Sequence, residues 1–433
     1  MRQLMKILLF TLVLAGLACC DNVKNTVSYM ANVPVYMSRE DFIITTKMGA
    51  ARPMKYPGKI CLYGDYIFIN EVNEGIHVID NTNPSAPRTV AFIEIVGNVD
   101  LAAKNGILYA DNLIDLLLFD ISNPNAPILK SRRENVFEGV VPAFDNDYPI
   151  AKLDTEKKII VGWEQKKVTE NVEFYTPCRG CYFLEMATVQ ASWANSGDKL
   201  LAAPGTPLTG VNGSMSRFAI AGNYLYAVSI KSQPYAQGVL KIFDIENGQA
   251  NEINTVSGIS TTVETLFAYE DHLFMGMSNG MQIFSIENPS LPIFIANSWH
   301  FWGCDPVVVS GNYAYVTVRS TNTCGQSGNL LQVIDISAIS QPNVVSQFNL
   351  QEPYGLGIDG DKLFICDKGL KVFDASNPVT TGNKLLFSTT DFMGFDLIPY
   401  NNLLLVIGDD GLYQYRYSSD NQLTRLSSIP VSK

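Results

Sequence analysis

The chain has 433 residues and a formal net charge of −11, with 42 acidic side chains against 31 basic ones and no basic cluster. Proteins that bind nucleic acid electrostatically have a basic surface patch, so this composition argues against nucleic acid as the partner. The length would allow two or three domains, but a single repeat domain can also be this long.

The first twenty residues have the pattern of an export signal. Arg2 and Lys6 precede an apolar run at residues 7–17, which is too short to span a membrane. The run ends in the sequence LACC at residues 17–20. This ending resembles the lipobox of bacterial lipoproteins, in which a cysteine is acylated and becomes the mature N-terminus.

Both cysteines of this ending are candidates for lipidation. Cys20 has a leucine three residues before it, whereas Cys19 has the small residue Ala18 directly before it. The resemblance implies a signal peptide at residues 1–20 and a lipid-anchored protein of the bacterial cell envelope, at the outer membrane. Residues 21–39 are then expected to be a tether, followed by one domain at residues 40–433.

A repeated pattern fills most of this domain. Residues 64–87 read GDYIFINEVNEGIHVIDNTNPSAP, and residues 105–127 read NGILYADNLIDLLLFDISNPNAP. Each unit has a polar turn, a short aromatic and β-branched run, a second turn, and a second run that ends before Asn-Pro. Such runs are typical of antiparallel strands, and proline stops the ladder at the exit.

The spacing of these units predicts the architecture. The last residue of the second run recurs about every 40 to 50 residues, apart from one longer gap, at Asp80, Asp120, Asp244, Ser285, Asp335, Asp374 and Tyr415. The gap contains a degenerate unit at residues 157–175 and an insertion at about 176–208. Four strands per unit and no helical periodicity indicate an all-β fold, a β-propeller of four-stranded blades. Counting the degenerate unit gives eight blades, with seven as the alternative.

The repeats resemble the LVIVD-repeat family. The matching stretches are IHVID, LLLFD, LKIFD, LQVID and LKVFD, which end at Asp80, Asp120, Asp244, Asp335 and Asp374. The resemblance implies a propeller on a bacterial cell envelope. It implies no reaction, because the family is defined by a structural repeat.

Cysteines outside the leader have two predicted roles in an exported protein, where disulfides persist. Cys178 and Cys181 form a CxxC in the insertion, and Cys304 and Cys324 lie in loops that flank one strand. Both pairs are disulfide candidates, because the three histidines have no metal spacing. Cys61 and Cys366 lie within apolar strands and are expected to be buried thiols.

One position that recurs in each repeat unit predicts a ring of charged residues at a mouth of the central channel. It begins the first strand of each blade, which lines the channel, and it is occupied by Lys59, Asp100, Arg217, Glu264, Asp305, Tyr354 and Asp396. Four carboxylates against two cations would suit a cation such as calcium or a cationic group, although each Asp could equally cap its own turn. No other cofactor is expected, and the metal ligands are unknown.

An aromatic loop leads into this ring. Trp299 and Trp302 precede Asp305 directly, and exposed aromatic side chains beside polar groups can grip sugar rings or partner side chains. The same residues could instead be buried between blades. If exposed, the two tryptophans would form the rim of the site that the ring defines.

The sequence therefore favours a monomeric, lipid-anchored envelope propeller that binds an extracellular protein or a glycan without catalysis. No HExxH, GxSxG, P-loop or dinucleotide-binding motif is present. The alternative is a hydrolase or lyase that acts on polysaccharides with the carboxylates of the channel mouth. Propellers host both classes, so the fold alone does not separate them.

Overall fold

The computed structural model describes residues 24–137, 139–145, 147–154, 159–173, 211–231, 237–299, 306–320 and 328–432. The chain divides into two compact units. The smaller unit comprises Met1–Val35, Phe144–Lys157 and Gly162–Gln190. The larger unit comprises Tyr36–Ala143, Lys158–Val161 and Ala191–Lys433, and it contains all the blades.

The first part of the chain supplies one ribbon strand, one short helix and two blades. In chain order the elements are β1 (Lys24–Met37), α1 (Arg39–Ile44), β2 (Lys47–Ala50), β3 (Pro57–Tyr63), β4 (Tyr66–Glu71), β5 (Gly75–Asp80), β6 (Arg88–Glu94), β7 (Leu101–Lys104), β8 (Ile107–Asn112), β9 (Asp115–Asp120) and β10 (Ile128–Arg133).

Two further strands precede the third blade. They are β11 (Ile159–Glu173) and β12 (Val211–Asn212). The third and fourth blades follow, with β13 (Phe218–Ala221), β14 (Tyr224–Lys231), β15 (Gln237–Asp244), β16 (Asn251–Ile259), β17 (Val263–Tyr269), β18 (His272–Met277), β19 (Gly280–Ser285) and β20 (Ile293–Trp299).

The last three blades complete the chain. Their elements are β21 (Val307–Ser310), β22 (Tyr313–Val318), β23 (Leu330–Asp335), β24 (Asn343–Asn349), β25 (Pro353–Asp359), β26 (Lys362–Asp367), β27 (Leu370–Asp374), a 3-10 helix (Pro378–Asn383), β28 (Leu385–Thr389), β29 (Gly394–Tyr400), β30 (Leu403–Gly408), β31 (Gly411–Tyr417) and β32 (Leu423–Pro430).

The larger unit is a closed β-propeller of seven antiparallel blades, each a four-stranded meander. The inner strands β3, β7, β13, β17, β21, β25 and β29 contact one another in this order, and β29 returns to β3. Blade 1 is extended to six strands, because β12 adds to its inner strand and β2 to its outer strand. Radial closure of this kind protects the sheet edges.

The preference for eight blades is wrong, because the degenerate unit at residues 157–175 forms no blade. Its described part is the single long strand β11, which pairs with β1 in a two-stranded sheet. A blade hairpin needs a tight turn, and Gly64, Gly106 and Gly360 supply one with φ of 55°, 74° and 56°. The degenerate unit has only Gly162, which lies within the strand, so the chain continues straight.

The expected tether at residues 21–39 is also largely strand. Residues 27–36 read VSYMANVPVY, a β-branched and aromatic run that fits β1. In the smaller unit, Ser28 is hydrogen-bonded to Thr169 of the paired strand at 2.8 Å. The backbone N–H of Asn32 donates to the carbonyl of Pro149 at 2.8 Å.

The ring closes without a strand shared by the two ends of the larger unit. The sequence predicts that a strand at residues 40–45 pairs with the last strand of the chain. This prediction is wrong, because residues 40–45 lie in and just after α1, and β32 pairs with β31 alone among the described strands. The ends meet at a single parallel bridge between Met54 and Val431. Blades 7 and 1 are also joined by a buried side-chain bond from Gln414 to Asn81 at 2.7 Å.

Aromatic residues at one repeated position form the core between blades. The third residue of the second strand is aromatic and buried in six blades, namely Phe68, Tyr109, Tyr226, Phe274, Tyr315 and Phe364. Leu405 takes the place in blade 7. Buried aromatic and aliphatic side chains supply most of the stabilisation of such interfaces. Cys61 and Cys366 are confirmed as buried cysteines.

Candidate functional site

The centre of the propeller is filled by a segment of its own chain, residues 211–217, which we call the plug. At its start β12 pairs with the inner strand of blade 1, with Val211 opposite Leu62. The plug side chains Ser214, Met215 and Ser216 are buried. The inner strands therefore surround protein here rather than a water-filled channel.

Ser214 ties the plug to blades 6 and 7. Its Oγ donates to Oδ1 of Asp396 at 3.0 Å and accepts the backbone N–H of Leu356 at 2.9 Å. The backbone N–H of Ser214 donates to the same carboxylate oxygen at 3.1 Å. Asp396 is fully buried, so this predicted channel-mouth residue holds the plug in place.

Asp100 ties the plug to blade 2. Its carboxylate accepts hydrogen bonds from Ser216 Oγ at 2.5 Å and from the backbone N–H of Arg217 at 2.7 Å. It also forms a buried ion pair with Lys59 of blade 1, at 2.6 Å. Burial lowers the pKa of Lys59, and Asp100 opposes this effect. Asp100 thus links two blades and the plug.

Asp100 and Asp396 therefore do not form part of an open ring of acidic groups at a channel mouth. Asp100 is neutralised by Lys59, and Asp396 accepts hydrogen bonds from the plug. The expectation assumed an open channel lined only by inner strands. The plug, which lies between blades 2 and 3 in sequence, occupies that space. It forms hydrogen bonds with polar groups that water would bind in a solvated channel.

A cleft of about 640 Å³ lies on the face of the propeller where the inner strands begin. This volume is within the range of small-molecule sites. Its polar and charged lining includes Lys59, Asn70, Asp100, Asp111, Arg217 and Arg319. Its aromatic lining consists of Tyr56, Phe137, Phe218, Tyr354 and Phe395.

Asp111 is the most unusual carboxyl group in this cleft. Its Oδ1 accepts hydrogen bonds from Asn98 Nδ2 at 2.7 Å and from the backbone N–H groups of Val99 and Asp100 at 2.8 Å. Burial and, to a smaller extent, the charge of Asp100 raise the pKa of Asp111 to about 7, although the backbone N–H groups and Lys59 lower it. A carboxyl group with such a pKa exchanges its proton near neutral pH.

Carboxylates near the end of the second strand have a comparable structural role in two other blades. Glu71 in blade 1 and Asp367 in blade 6 are the last residues of β4 and β26, whereas Asp111 lies one residue before the end of β8. Glu71 and Asp367 both accept backbone N–H groups from the start of their own blade. Glu71 has His77 at 2.7 Å, and Asp367 has Lys371 at 2.5 Å. Despite burial, His77 and the backbone N–H groups lower the pKa of Glu71. Asp111 has no ion pair with a described residue, and it alone of the three lines the cleft.

Two arginines supply positive charge to the cleft. Arg217 is the last residue of the plug, and its Nε is buried without a hydrogen-bond partner among the described residues. The guanidinium of Arg319 lies over the ring of Tyr354, 4.1 Å from its centroid. Neither arginine forms an ion pair with a residue that the structure describes.

The predicted site residues divide into three groups. Asp100, Arg217 and Tyr354 line the cleft. Glu264, Asp396 and Trp299 do not line it, although Trp299 is 60% exposed at the end of β20. Trp302, Asp305 and the disulfide candidates Cys178, Cys181, Cys304 and Cys324 lie outside the described residues, as do Cys19 and Cys20.

Asp111 and Arg319 are cleft residues that the sequence interpretation missed. Asp111 precedes the repeat marker Asp120 by nine residues, the same spacing that separates Glu71 from Asp80. An alignment of the first two units on that marker would have shown an acidic residue nine positions before it in both, although Asp367 precedes Asp374 by only seven. Arg319 has no such signal, because it simply follows the end of β22.

The described residues contain no cluster of three or more His, Cys, Asp or Glu side chains that could hold a metal ion. Among the same residues, no helix has the length and apolar character needed to cross a membrane.

Comparison with known proteins agrees with this architecture. The family model of the LVIVD repeat matches residues 56–92, 100–134 and 304–350. The chain is thus a seven-bladed β-propeller that carries LVIVD repeats. No curated protein matches it at a significant level.

Two solved structures share the fold. The periplasmic gluconolactonase of Pseudomonas aeruginosa is 10% identical, with a TM-score of 0.53, over 86% of this chain and 98% of that one. A putative 6-phosphogluconolactonase from Bacteroides fragilis is 10% identical, with a TM-score of 0.52, over 87% of this chain and 96% of that one. At such identity the likeness extends to the fold alone.

Proposed function

We propose that this propeller binds a glycan in the cleft on its face. The observation that carries the proposal is the lining of the cleft, where aromatic surfaces lie beside hydrogen-bonding and charged groups. Tyr56 is 70% exposed there, and the rings of Tyr354 and Phe395 lie 5.6 Å apart. Exposed aromatic faces beside polar groups suit the apolar faces and hydroxyl groups of a sugar.

We propose that the protein is located in the bacterial cell envelope. The basic and apolar leader with its LACC ending supports lipidation at Cys19 or Cys20. Acyl chains contribute about 0.8 kcal/mol for each buried CH₂, which allows anchoring without a spanning helix. Mass spectrometry of the mature protein should find acyl chains on one of these cysteines, and an unmodified N-terminus would refute the anchor.

A glycan array with matched variants tests the cleft as the binding surface. Tyr56→Ala should weaken binding of the glycan selected from the array by about tenfold, because it removes an exposed aromatic surface from the cleft. Trp299→Ala is the control, since it removes an aromatic side chain of similar exposure outside the cleft. Loss of binding in the control alone would move the site to the end of β20. Binding to proteins but to no glycan would favour the extracellular protein partner instead.

Hydrolysis of a sugar lactone or ester is a second candidate, and the position and pKa of Asp111 favour it. Water would attack the carbonyl carbon while ionised Asp111 takes its proton. The ring C–O bond then breaks, and Asp111 returns the proton to the departing oxygen, which leaves a hydroxy acid and an ionised Asp111. Two fold neighbours are described as a gluconolactonase and a putative 6-phosphogluconolactonase. Of the channel-mouth carboxylates predicted for a polysaccharide hydrolase, only Asp100 lines the cleft among the described residues.

The pH dependence of hydrolysis tests this second candidate. With D-glucono-1,5-lactone as probe, kcat/KM should rise as the pH passes through about 7, because Asp111 must lose its proton to act as a base. Asp111→Asn should lower the rate by about 10²-fold or more. The Asn oxygen can still accept the three N–H groups, so folding should be retained. A rate equal to the buffer blank in the unaltered protein would exclude lactone hydrolysis.

A further inference from the structure

We infer that Arg217 and Arg319 form a subsite for an oxyanion, so that the ligand of the cleft is an acidic sugar rather than a neutral one. This inference rests on the proposed binding of a glycan in the cleft. It goes beyond that proposal because it names the chemical class of the sugar and the two residues that select it.

The charge of the cleft is opposite to that of the whole chain. The lining has three cations, Lys59, Arg217 and Arg319, and two acidic groups, Asp100 and Asp111. Asp100 is already paired with Lys59 at 2.6 Å. Asp111 has its own carboxylate oxygen occupied by three N–H donors. The two arginines therefore leave positive charge in the cleft of a protein whose net charge is −11.

The backbone of Arg217 is fixed by hydrogen bonds, and the residue lines the cleft. Its N–H donates to Asp100 at 2.7 Å, and its carbonyl accepts the N–H of Val228 at 3.1 Å. These bonds fix the residue at the point where the plug joins blade 3. A buried guanidinium nitrogen without a hydrogen-bond partner is costly, and Nε of Arg217 has none among the described residues, so an acceptor bound at this guanidinium would be favoured.

Arg319 is oriented by an aromatic ring. The central carbon of its guanidinium lies over the ring of Tyr354, 4.1 Å from the centroid, and Arg319 lines the cleft. A guanidinium carries its N–H donors in one plane. A carboxylate matches this planar fork with two parallel hydrogen bonds.

A matched pair of ligands separates charge from shape. Isothermal titration would compare trigalacturonate with its methyl ester, which keeps the sugar rings but removes the negative charges, and with inorganic phosphate. We expect trigalacturonate to bind at least about tenfold more tightly than the ester, with an affinity that falls as salt is added. Phosphate alone should bind more weakly than trigalacturonate, because it lacks the sugar contacts.

Variants of the two arginines complete the experiment. Arg319→Gln and Arg217→Gln should each reduce affinity for trigalacturonate by about tenfold while leaving the ester within about twofold. Arg88→Gln is the control, because Arg88 is exposed on the outer strand β6. Arg319 lies outside the plug, so its variant remains informative if Arg217→Gln does not fold.

The outcomes distinguish this subsite from the proposed function. Equal binding of trigalacturonate and its ester, unchanged by either variant, would overturn the subsite and leave glycan binding intact. Phosphate binding as tight as that of trigalacturonate would overturn the assignment of an acidic sugar as the ligand, because the subsite would then recognise a free anion. Binding of neither saccharide, when other glycans on the array bind through Tyr56, would refute the acidic-sugar assignment alone. No glycan binding at all would refute both proposals.

Discussion

Asp100→Asn should lower the free energy of unfolding by about 3 to 5 kcal/mol, because it leaves the buried ammonium group of Lys59 without its counter-charge. The side chains of the pair are only 2% and 5% exposed, and their atoms are 2.6 Å apart. The same substitution also weakens the bonds from Ser216 and Arg217 that hold the plug. Urea denaturation, followed by tryptophan fluorescence, measures the change.

Two comparisons show whether the buried charge is the cause. Glu94→Gln makes the same change from carboxylate to amide in an ion pair whose two side chains are 62% and 40% exposed, and it should cost less than about 1 kcal/mol. Adding Lys59→Met to Asp100→Asn should recover much of the lost stability, since no unpaired charge is then buried. Equal effects of Asp100→Asn and Glu94→Gln would contradict the role assigned to Asp100.

Ser214→Ala should lower the free energy of unfolding by about 1 to 3 kcal/mol, the usual effect of leaving a buried polar group unsatisfied. The substitution removes the donor to Asp396 and the acceptor for the N–H of Leu356. Because these bonds join the plug to two blades, the loss should affect the whole ring rather than one loop. Thermal unfolding should therefore remain a single transition at a lower temperature.

Ser85→Ala is the matched control for this experiment. Ser85 is exposed in the turn after blade 1's third strand, where its backbone N–H rather than its hydroxyl bonds to Asn83. The control should change stability by no more than about 0.5 kcal/mol. An equally small effect of Ser214→Ala would mean that the plug contributes little to the stability of the propeller.

The blades were predictable from the sequence because each unit contains its own local signals. Second strands such as Tyr66–Glu71 and Tyr313–Val318 appear as short aromatic and β-branched runs, and the structure confirms them. The exit turns have a local cause as well. Asp80 and Asp120 accept the backbone N–H two residues later, at 3.0 and 2.9 Å. Such side-chain caps depend only on neighbouring residues.

The number of blades and the closure depended on information that is not local. Residues 157–175 have strand-forming composition but lack the glycine turn of a blade hairpin, so composition alone gave one blade too many. The ends of the ring meet through Met54 and Val431, which are 377 residues apart in sequence, with no repeated pattern to mark the contact. Contacts between residues so distant in sequence follow from the closure of the ring and not from the strand propensity of the residues.

The site was only partly predictable for the same reason. The first position of each blade correctly pointed to residues near the axis, and Asp100, Arg217 and Tyr354 do line the cleft. The plug then changed the chemistry, because Ser214 and Ser216 bind two of the predicted carboxylates. Nothing in the sequence VNGSMSR at residues 211–217 marks a segment that fills a propeller.

A crystal structure of the protein with saturating trigalacturonate tests the central claim most directly, namely that the functional surface is the face cleft above a plugged axis. The account predicts ligand density in the cleft, with a carboxylate within hydrogen-bonding distance of Arg217 and Arg319 and a sugar ring against Tyr56. Ligand density beside Trp299, or along the axis with residues 211–217 displaced, would contradict it.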